Sequence, residues 1–310
     1  MRILITGASG LLGLNLGLES AKEHNVFGQV NSHPLQTKAF KVIKTDLLAP
    51  HAVQRLLEKT QPEWVIHCAA MANIDACEAD PLQAREINTE LPGKLAELVA
   101  RGGARLLHVS TDAVFDGRCG GYSEEETPNP LSVYARTKLE GERSVAEANP
   151  NAIIARVNLY GWSISGTRSL GEFFVYNLQA SRRVMGFTDV FFCPLLANDL
   201  ANIFLRMLAA GLEGLYHVVS SECVSKYNFG VKIAQQFGLD EDLITPTSVS
   251  NGGLNAARAL NLTLRTDKIS QALKNRSSDP LPNISAGLER FYTLYQQGYP
   301  QLLSRMAEQG

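Results

Sequence analysis

Six short apolar runs, at 3–6, 26–30, 40–44, 64–68, 106–110 and 153–157, alternate along the first half of the chain with stretches of helical periodicity at 11–23, 51–59, 81–101 and 132–148. Runs this apolar on both faces, separated by amphipathic segments, predict parallel strands buried between two layers of helices. The pattern therefore reads as one doubly wound α/β domain over residues 1–157. After Val157 the rhythm changes: aromatics thicken at Phe173, Phe174, Tyr176, Phe187, Phe191 and Phe192, and strand-like runs become sparse. Helical spacing returns at 198–208, 225–237, 266–273 and 286–297, with helix-start residues at Asp199 and at Ser225, the latter followed three residues on by Asn228. Residues 158–310 are expected to form a smaller, mostly helical module that binds substrate, and its runs at 184–187 and 216–219 are expected to return to the sheet.

Composition narrows the function classes. The 310 residues are 45% hydrophobic and 19% charged with a net charge of −2, enough for a full core and without the basic footprint of a nucleic-acid or membrane-surface binder. No apolar run of about 18 residues suggests a spanning helix. The opening Met1-Arg2-Ile3-Leu4-Ile5-Thr6-Gly7 is too short for a signal-peptide core and reads as a strand. Cys68, Cys77, Cys119, Cys193 and Cys223 are odd in number, widely spaced and contain no CxxC pair. That spacing predicts free thiols rather than a disulfide framework or zinc site, and a cytoplasmic protein. His24, His33, His51, His67, His108 and His217 are scattered without metal-ligand spacing, and His67 and His108 read as satisfied residues at the ends of adjacent strands. Without a secretory leader, the sequons at Asn261 and Asn283 read as chance. Neither a Gly-x-Ser-x-Gly elbow nor a Gly-Lys-Ser/Thr loop is present, which argues against a hydrolase of that type and a P-loop.

Candidate chemistry begins where the first run ends, at Thr6-Gly7-Ala8-Ser9-Gly10-Leu11-Leu12-Gly13. Side chains at the first two glycines would hold the backbone away from a pyrophosphate, and one at Gly13 would push the helix off the sheet. The N–H groups that open the following helix would face the phosphates. The triplet thus predicts dinucleotide binding through Gly7, Ser9, Gly10, Leu11, Leu12 and Gly13. At the end of the second strand, where an acid would hold the ribose 2′-hydroxyl of NAD, the chain has Asn31, Ser32 and His33. They could donate to a 2′-phosphate, with Lys38 and Lys41 just downstream, so NADP(H) is favoured over NAD(H). Asp46 reads as an adenine-side contact or a cap.

The second constellation is Thr111, at the end of the fifth run, and Tyr134 and Lys138 in the helical stretch beyond it. Tyr and Lys at i and i+4 share a helix face, and an ammonium there is expected to pull the phenol's pKa down from about 10. Such a phenol exchanges protons with a carbonyl or alcohol oxygen, while Thr111 holds the charge that develops on it.

With these residues in place the sequence resembles the extended short-chain dehydrogenase/reductases, and within them the dTDP-4-dehydrorhamnose reductase group. The matching stretches are Ile5 to Gly13, Pro62 to Ala70, Ser110 to Gly117 and Tyr134 to Glu142, with looser matches at Arg156 to Gly161 and Pro194 to Ala201. The resemblance implies a Rossmann domain and NADP(H)-dependent reduction of a nucleotide-linked 4-keto-deoxysugar. It makes Tyr134 the proton donor, has Lys138 hold both Tyr134 and the nicotinamide ribose, and has Thr111 polarise the carbonyl. Ala69, Ala70 and Met71 would line the cofactor channel, and Leu47, Cys68, Val109 and Val157 complete the expected contacts. Asn88 matches an asparagine beneath the site with a structural or water-relay role, and a homodimer is a family expectation. Asp75 and Glu78 match an acidic motif for which a helix cap is the simplest reading. Tyr122 and Glu124 match a substrate-side loop, although the run Glu124-Glu125-Glu126 by itself reads as solvated. Phe173, Phe174, Tyr176, Phe191 and Phe192 could stack a base, but packing is the preferred reading.

The chain departs from the pattern in having His67 where the family often has Asn, and Arg136 and Thr137 ahead of the lysine. Two other readings stand beside the reductase. One is an epimerase or dehydratase with permanently held NAD⁺, of which dehydration is disfavoured because Asp112-Ala113 replaces the dehydratases' Asp-Glu pair. The other is a non-catalytic subunit resembling the methionine adenosyltransferase β-subunit, against which the intact Thr111, Tyr134 and Lys138 speak.

Overall fold

The computed structural model describes residues 1–251, 259–274 and 281–307. In chain order its strands are β1 (Arg2–Thr6), β2 (Asn25–Val30), β3 (Lys41–Lys44), β4 (Trp64–His67), β5 (Arg105–Thr111), β6 (Ile153–Val157), β7 (Leu159–Tyr160), β8 (Val184–Phe187), β9 (Phe191–Phe192), β10 (Leu195–Leu196), β11 (Gly214–His217), β12 (Val224–Ser225) and β13 (Ile244–Thr247). The helices are α1 (Leu11–Ser20), α2 (Ala52–Thr60), α3 (Ile74–Ala79), α4 (Pro81–Arg85), α5 (Leu91–Arg101), α6 (Val133–Ala148), α7 (Leu170–Gln179), α8 (Ala197–Ala209), α9 (Lys226–Phe237), α10 (Asp267–Lys274), α11 (Ile284–Gln296) and α12 (Tyr299–Ser304). Among the described residues no helix is long and apolar enough to cross a membrane.

Seven strands pair in parallel in the order β11-β6-β5-β4-β1-β2-β3. The strand order reverses between β1 and β4, so a crevice opens beyond Thr6 and His67, the position where doubly wound sheets take their ligands. Apolar alternation is lost because both faces are covered: Ile3, Leu4 and Ile5 are each fully buried. Each such side chain contributes about 1.5–3 kcal/mol relative to exposure.

The expected return of strands from the second half is half right. β11 does join the sheet beside β6, but β8 pairs with β13 in a separate two-stranded sheet. The strand-like pattern at 184–187 could not reveal its partner, which lies in a segment with no strand signal of its own. The predicted helix at 81–101 is continuous, with a π-helical turn at Glu86–Glu90 between α4 and α5. One buried cluster runs from Ile3 and Ile5 through Val157 to Trp162, Phe204 and Phe291, so the two halves share a core.

The expectation of free thiols needs correction for one pair. Cys193 and Cys223 form a disulfide across a sequence separation of 30, because the β9–β10 turn and the start of β12 meet through the β9–β12 pairing. Nothing in the cysteine spacing encodes that meeting. Cys68, Cys77 and Cys119 are free.

Candidate active site

The turn after β1 is built from glycines under close approach. Gly7 has φ +67, and a Cβ there would come within 2.8 Å of the Ala69 backbone. A Cβ on Gly13 would lie 2.3 Å from the Gly7 carbonyl oxygen, so only hydrogen lets α1 start directly behind the loop. Gly10 caps α1 without a side chain, and the first turn carries no acid, which leaves the helix N-terminus open to an anion. Buried Gln29 pins this loop: its Oε1 accepts from Gly7 N at 3.0 Å and its Nε2 donates to Thr45 O at 2.6 Å. Across the crevice, the Thr6 hydroxyl meets His67 Nδ1 at 2.7 Å and accepts from Ala69 N at 3.2 Å, tying the ends of β1 and β4 together.

A cleft of about 300 Å³ opens over this loop. Its walls include Gly7, Ser9, Gly10, Asn31, Ser32, His33, Asp46, Leu47, Cys68, Ala69 and Ala70 of the expected cofactor set. Asn31, Ser32 and His33 are exposed at its edge. Asp46 also accepts from Leu48 N at 3.0 Å, so it caps its own turn as well as lining the cleft. The walls further include Gln29, Leu48, Ile87, Leu91 and Arg168. Gln29 could have been noticed as a polar residue inside an apolar strand. Arg168 carried no signal, because it reaches the cleft from the second half of the chain. Leu11, Leu12 and Gly13 open α1 behind these walls.

Met71 and Asn88 brace one another: Asn88 accepts from Met71 N at 2.9 Å and donates to Met71 O at 3.0 Å and to Thr137 Oγ1 at 3.2 Å. Buried Asn88 thereby joins the segment after β4 to the helix that carries Tyr134. The acidic motif has a structural explanation. Glu78 Oε1 accepts from Val133 N at 2.7 Å, and Ser132 caps the same helix by accepting from Ala135 N. Glu78 is thus a cap for α6 supplied by another helix, while Asp75 sits exposed in the first turn of α3.

Thr111, Tyr134 and Asp112 lie together at the end of β5 and the start of α6. Burial pushes the Tyr134 phenol up to about 12, with the neighbouring Thr111 hydroxyl opposing and the charges of Asp112 and Cys77 adding. The expectation that Lys138 lowers this pKa is therefore overturned: Lys138 is not among the groups that shift it. Its ammonium instead donates to Val109 O at 2.6 Å and lies 3.4 Å from His108 Nε2. Burial brings Lys138 itself down to about 8, opposed by Glu142 and Cys68. Asp112 is raised to about 6 by burial, against a 2.6 Å bond from Asn158 Nδ2 and a 3.2 Å bond from the Thr111 hydroxyl. Val157 ends β6 beside Thr111, its neighbour in the pairing of β5 and β6.

His67 and His108 stack with ring centroids 5.4 Å apart, and both are buried and held neutral, His67 near a pKa of about 3. They are only half satisfied, since His67 Nε2 and His108 Nδ1 have no partner. Arg136 is exposed, whereas Thr137 is buried and donates to Tyr134 O at 3.0 Å. Tyr122 is buried, stacked on Phe115 at 4.2 Å, with its hydroxyl donating to Asp116. Glu124 is not simply solvated: it accepts from His217 N at 2.9 Å at the end of β11. Of the aromatics in the second half, Phe174 and Phe192 are core, and Phe173, Tyr176 and Phe191 are exposed. Among the described residues no group of three or more His, Cys, Asp or Glu is placed to hold a metal ion.

This arrangement has close counterparts among known proteins. Residues 1–293 match the family model described as the RmlD substrate binding domain. A probable low-salt glycan biosynthesis reductase, Agl14 of Haloferax volcanii, is 33% identical over 95% of this chain and 99% of its own. Methionine adenosyltransferase 2 subunit beta of Pongo abelii is 32% identical over 86% of this chain and 81% of its own. A dTDP-4-dehydrorhamnose reductase of Mycobacterium tuberculosis is 32% identical over 80% of this chain and 79% of its own. The crystal structure of a dTDP-4-dehydrorhamnose reductase from Clostridium acetobutylicum superposes with a TM-score of 0.79 at 28% identity, over 96% of this chain and 100% of its own. The one from Bacillus anthracis, in complex with NADP, does so with a TM-score of 0.79 at 26% identity, over 94% of this chain and 98% of its own. The glycine-lined crevice, the Thr–Tyr–Lys set and the match along nearly the whole length lead to one conclusion: the chain belongs to the RmlD substrate-binding domain family, within the extended short-chain dehydrogenase/reductases.

Proposed function

We propose that this NAD(P)-dependent oxidoreductase reduces the 4-keto group of a nucleotide-linked deoxysugar, with NADP(H) as its preferred cofactor. The observation that carries the reading is the neighbouring pair of Thr111 and Tyr134 on a fold whose glycine cradle fits a dinucleotide. Gly7, Gly10 and the open end of α1 would hold the pyrophosphate, and Asn31, Ser32 and His33 the adenosine ribose. A bound nicotinamide supplies the hydride. Tyr134, whose raised pKa keeps the phenol protonated at neutral pH, donates its proton to the carbonyl oxygen. The Thr111 hydroxyl, which donates to Asp112 in this structure, would turn its proton to that oxygen and stabilise the charge on it, while Asn158 holds Asp112 in place. Lys138, anchored on Val109 O near the end of β5, would use its remaining ammonium protons to hold the nicotinamide ribose. The reductases of Haloferax volcanii and Mycobacterium tuberculosis support this reading, the former matching along nearly its full length.

Mixing the protein with NADPH and dTDP- or UDP-linked 4-keto-6-deoxyhexose should consume one NADPH per sugar reduced. A second reading is favoured by one observation, the equal likeness to methionine adenosyltransferase 2 subunit beta. In that case the chain binds the dinucleotide, turns over no keto-sugar and co-purifies with a partner enzyme. Stable dinucleotide binding without NADPH consumption on any of these sugars would overturn the reductase reading.

A further inference from the structure

Arg168 stands apart from the residues assigned so far. It lines the dinucleotide cleft, yet it comes from the loop between β7 and α7, far in sequence from the glycine turn opposite. It is exposed, and its guanidinium makes no hydrogen bond or ion pair among the described residues. Among the described residues that line the cleft it is the one permanent cation, and the acid there is Asp46.

The loop that carries it is rigidly held. Glu172, fully buried, accepts from Ser163 N at 2.5 Å, from the Ser163 hydroxyl at 2.9 Å, from Arg168 N at 2.9 Å and from Ser169 N at 3.1 Å. Ser169 completes a capping box with Glu172 and donates its hydroxyl to Gly161 O at 2.7 Å, which closes the loop onto its own base. That base is fastened to α1: Asn15 Nδ2 donates to Trp162 O at 2.9 Å, and Gly161 sits beside Leu11. The sequence thus spends a buried carboxylate and two serines on fixing a loop that brings an exposed arginine into the lining of the cleft.

We infer that Arg168 is a clamp for the dinucleotide pyrophosphate, closing the cleft from the substrate-binding half of the chain. The inference rests on the dinucleotide reading above. A guanidinium matches phosphate oxygens with paired donors, and Arg168 lines the same cleft as Gly7, Ser9 and Gly10, where the glycine loop would hold the two phosphates.

The test is equilibrium binding of NADPH and of NADH, read by cofactor fluorescence, to wild type, Arg168→Ala and Arg168→Lys, with melting temperature measured alongside. Arg168→Ala should bind both cofactors about tenfold more weakly at an unchanged melting temperature, and Arg168→Lys should recover part of the loss. Unchanged affinity for both cofactors would overturn the clamp. So would a loss confined to NADPH, which would put the guanidinium on the 2′-phosphate. A wild-type protein that binds neither cofactor would instead overturn the parent reading, so the two failures are distinguishable.

Discussion

Asp112, just after β5, and Lys138, one turn beyond Tyr134 on α6, titrate on either side of neutrality. Asp112, raised to about 6, is a carboxylate above that pH and accepts from Thr111 and Asn158; below it the carboxyl gains a proton and one acceptor is lost. Lys138, lowered to about 8, is an ammonium below that pH and neutral above it. The competent form therefore exists between about 6 and 8, and kcat/KM for the free enzyme should follow a bell with those limbs. Asp112→Asn should flatten the acid limb while lowering the plateau about tenfold, since an amide still accepts from Thr111 but does not titrate. An acid limb left in place by that substitution would assign it to another group. At this scale the sequence located Thr111 at the end of β5 and Tyr134 and Lys138 on α6, but not their electrostatics. Helical spacing puts Lys138 on the face of Tyr134, yet it cannot say that the Val109 carbonyl lies nearer to the ammonium than the phenol does.

At the scale of elements, local pattern carried the most information. The six strands of the first half start and end within one or two residues of the apolar runs, because burial on both faces leaves the chain few ways to misplace them. Ser225 caps α9 by accepting from Asn228 N, as its spacing implied. Asp199 does not cap α8; it lies in that helix's first turn, and its carboxylate pairs with Arg290. Elements defined by partners far along the chain were illegible. A cap was the simplest reading of Glu78, but that it caps α6, and that β8 pairs with β13, both depend on contacts that periodicity does not encode. The glycine turn was the clearest reading, and Gly13→Ala tests it. With Cβ placed 2.3 Å from the Gly7 oxygen, α1 must move off β1. The variant should lose about 1–3 kcal/mol in denaturant unfolding and most of its dinucleotide affinity. Wild-type affinity and stability would show that the turn has room to spare.

Over the whole molecule, ion pairs and a shared core join the two halves. Arg290 on α11 reaches Glu19 on α1, 271 residues away, and also pairs with Asp199 on α8. Buried Arg156 on β6 pairs with Glu142 on α6 at 2.7 Å, and Glu142 also accepts from Ser110 at the end of β5. Removing one partner of such a buried pair costs about 3–5 kcal/mol, so this contact fixes the helix of Tyr134 and Lys138 against the sheet. These long-range contacts are why the second half, including Arg168 and the Cys193–Cys223 bond, was hardest to read from sequence. The central claim is that Tyr134 delivers the proton in a nicotinamide-dependent keto-sugar reduction. Its most direct test is single-turnover NADPH oxidation by wild type and Tyr134→Phe with the same 4-keto-6-deoxysugar nucleotide, after confirming equal NADPH affinity. The account predicts a rate at least about a hundredfold lower in the variant; equal rates in the two proteins would contradict it.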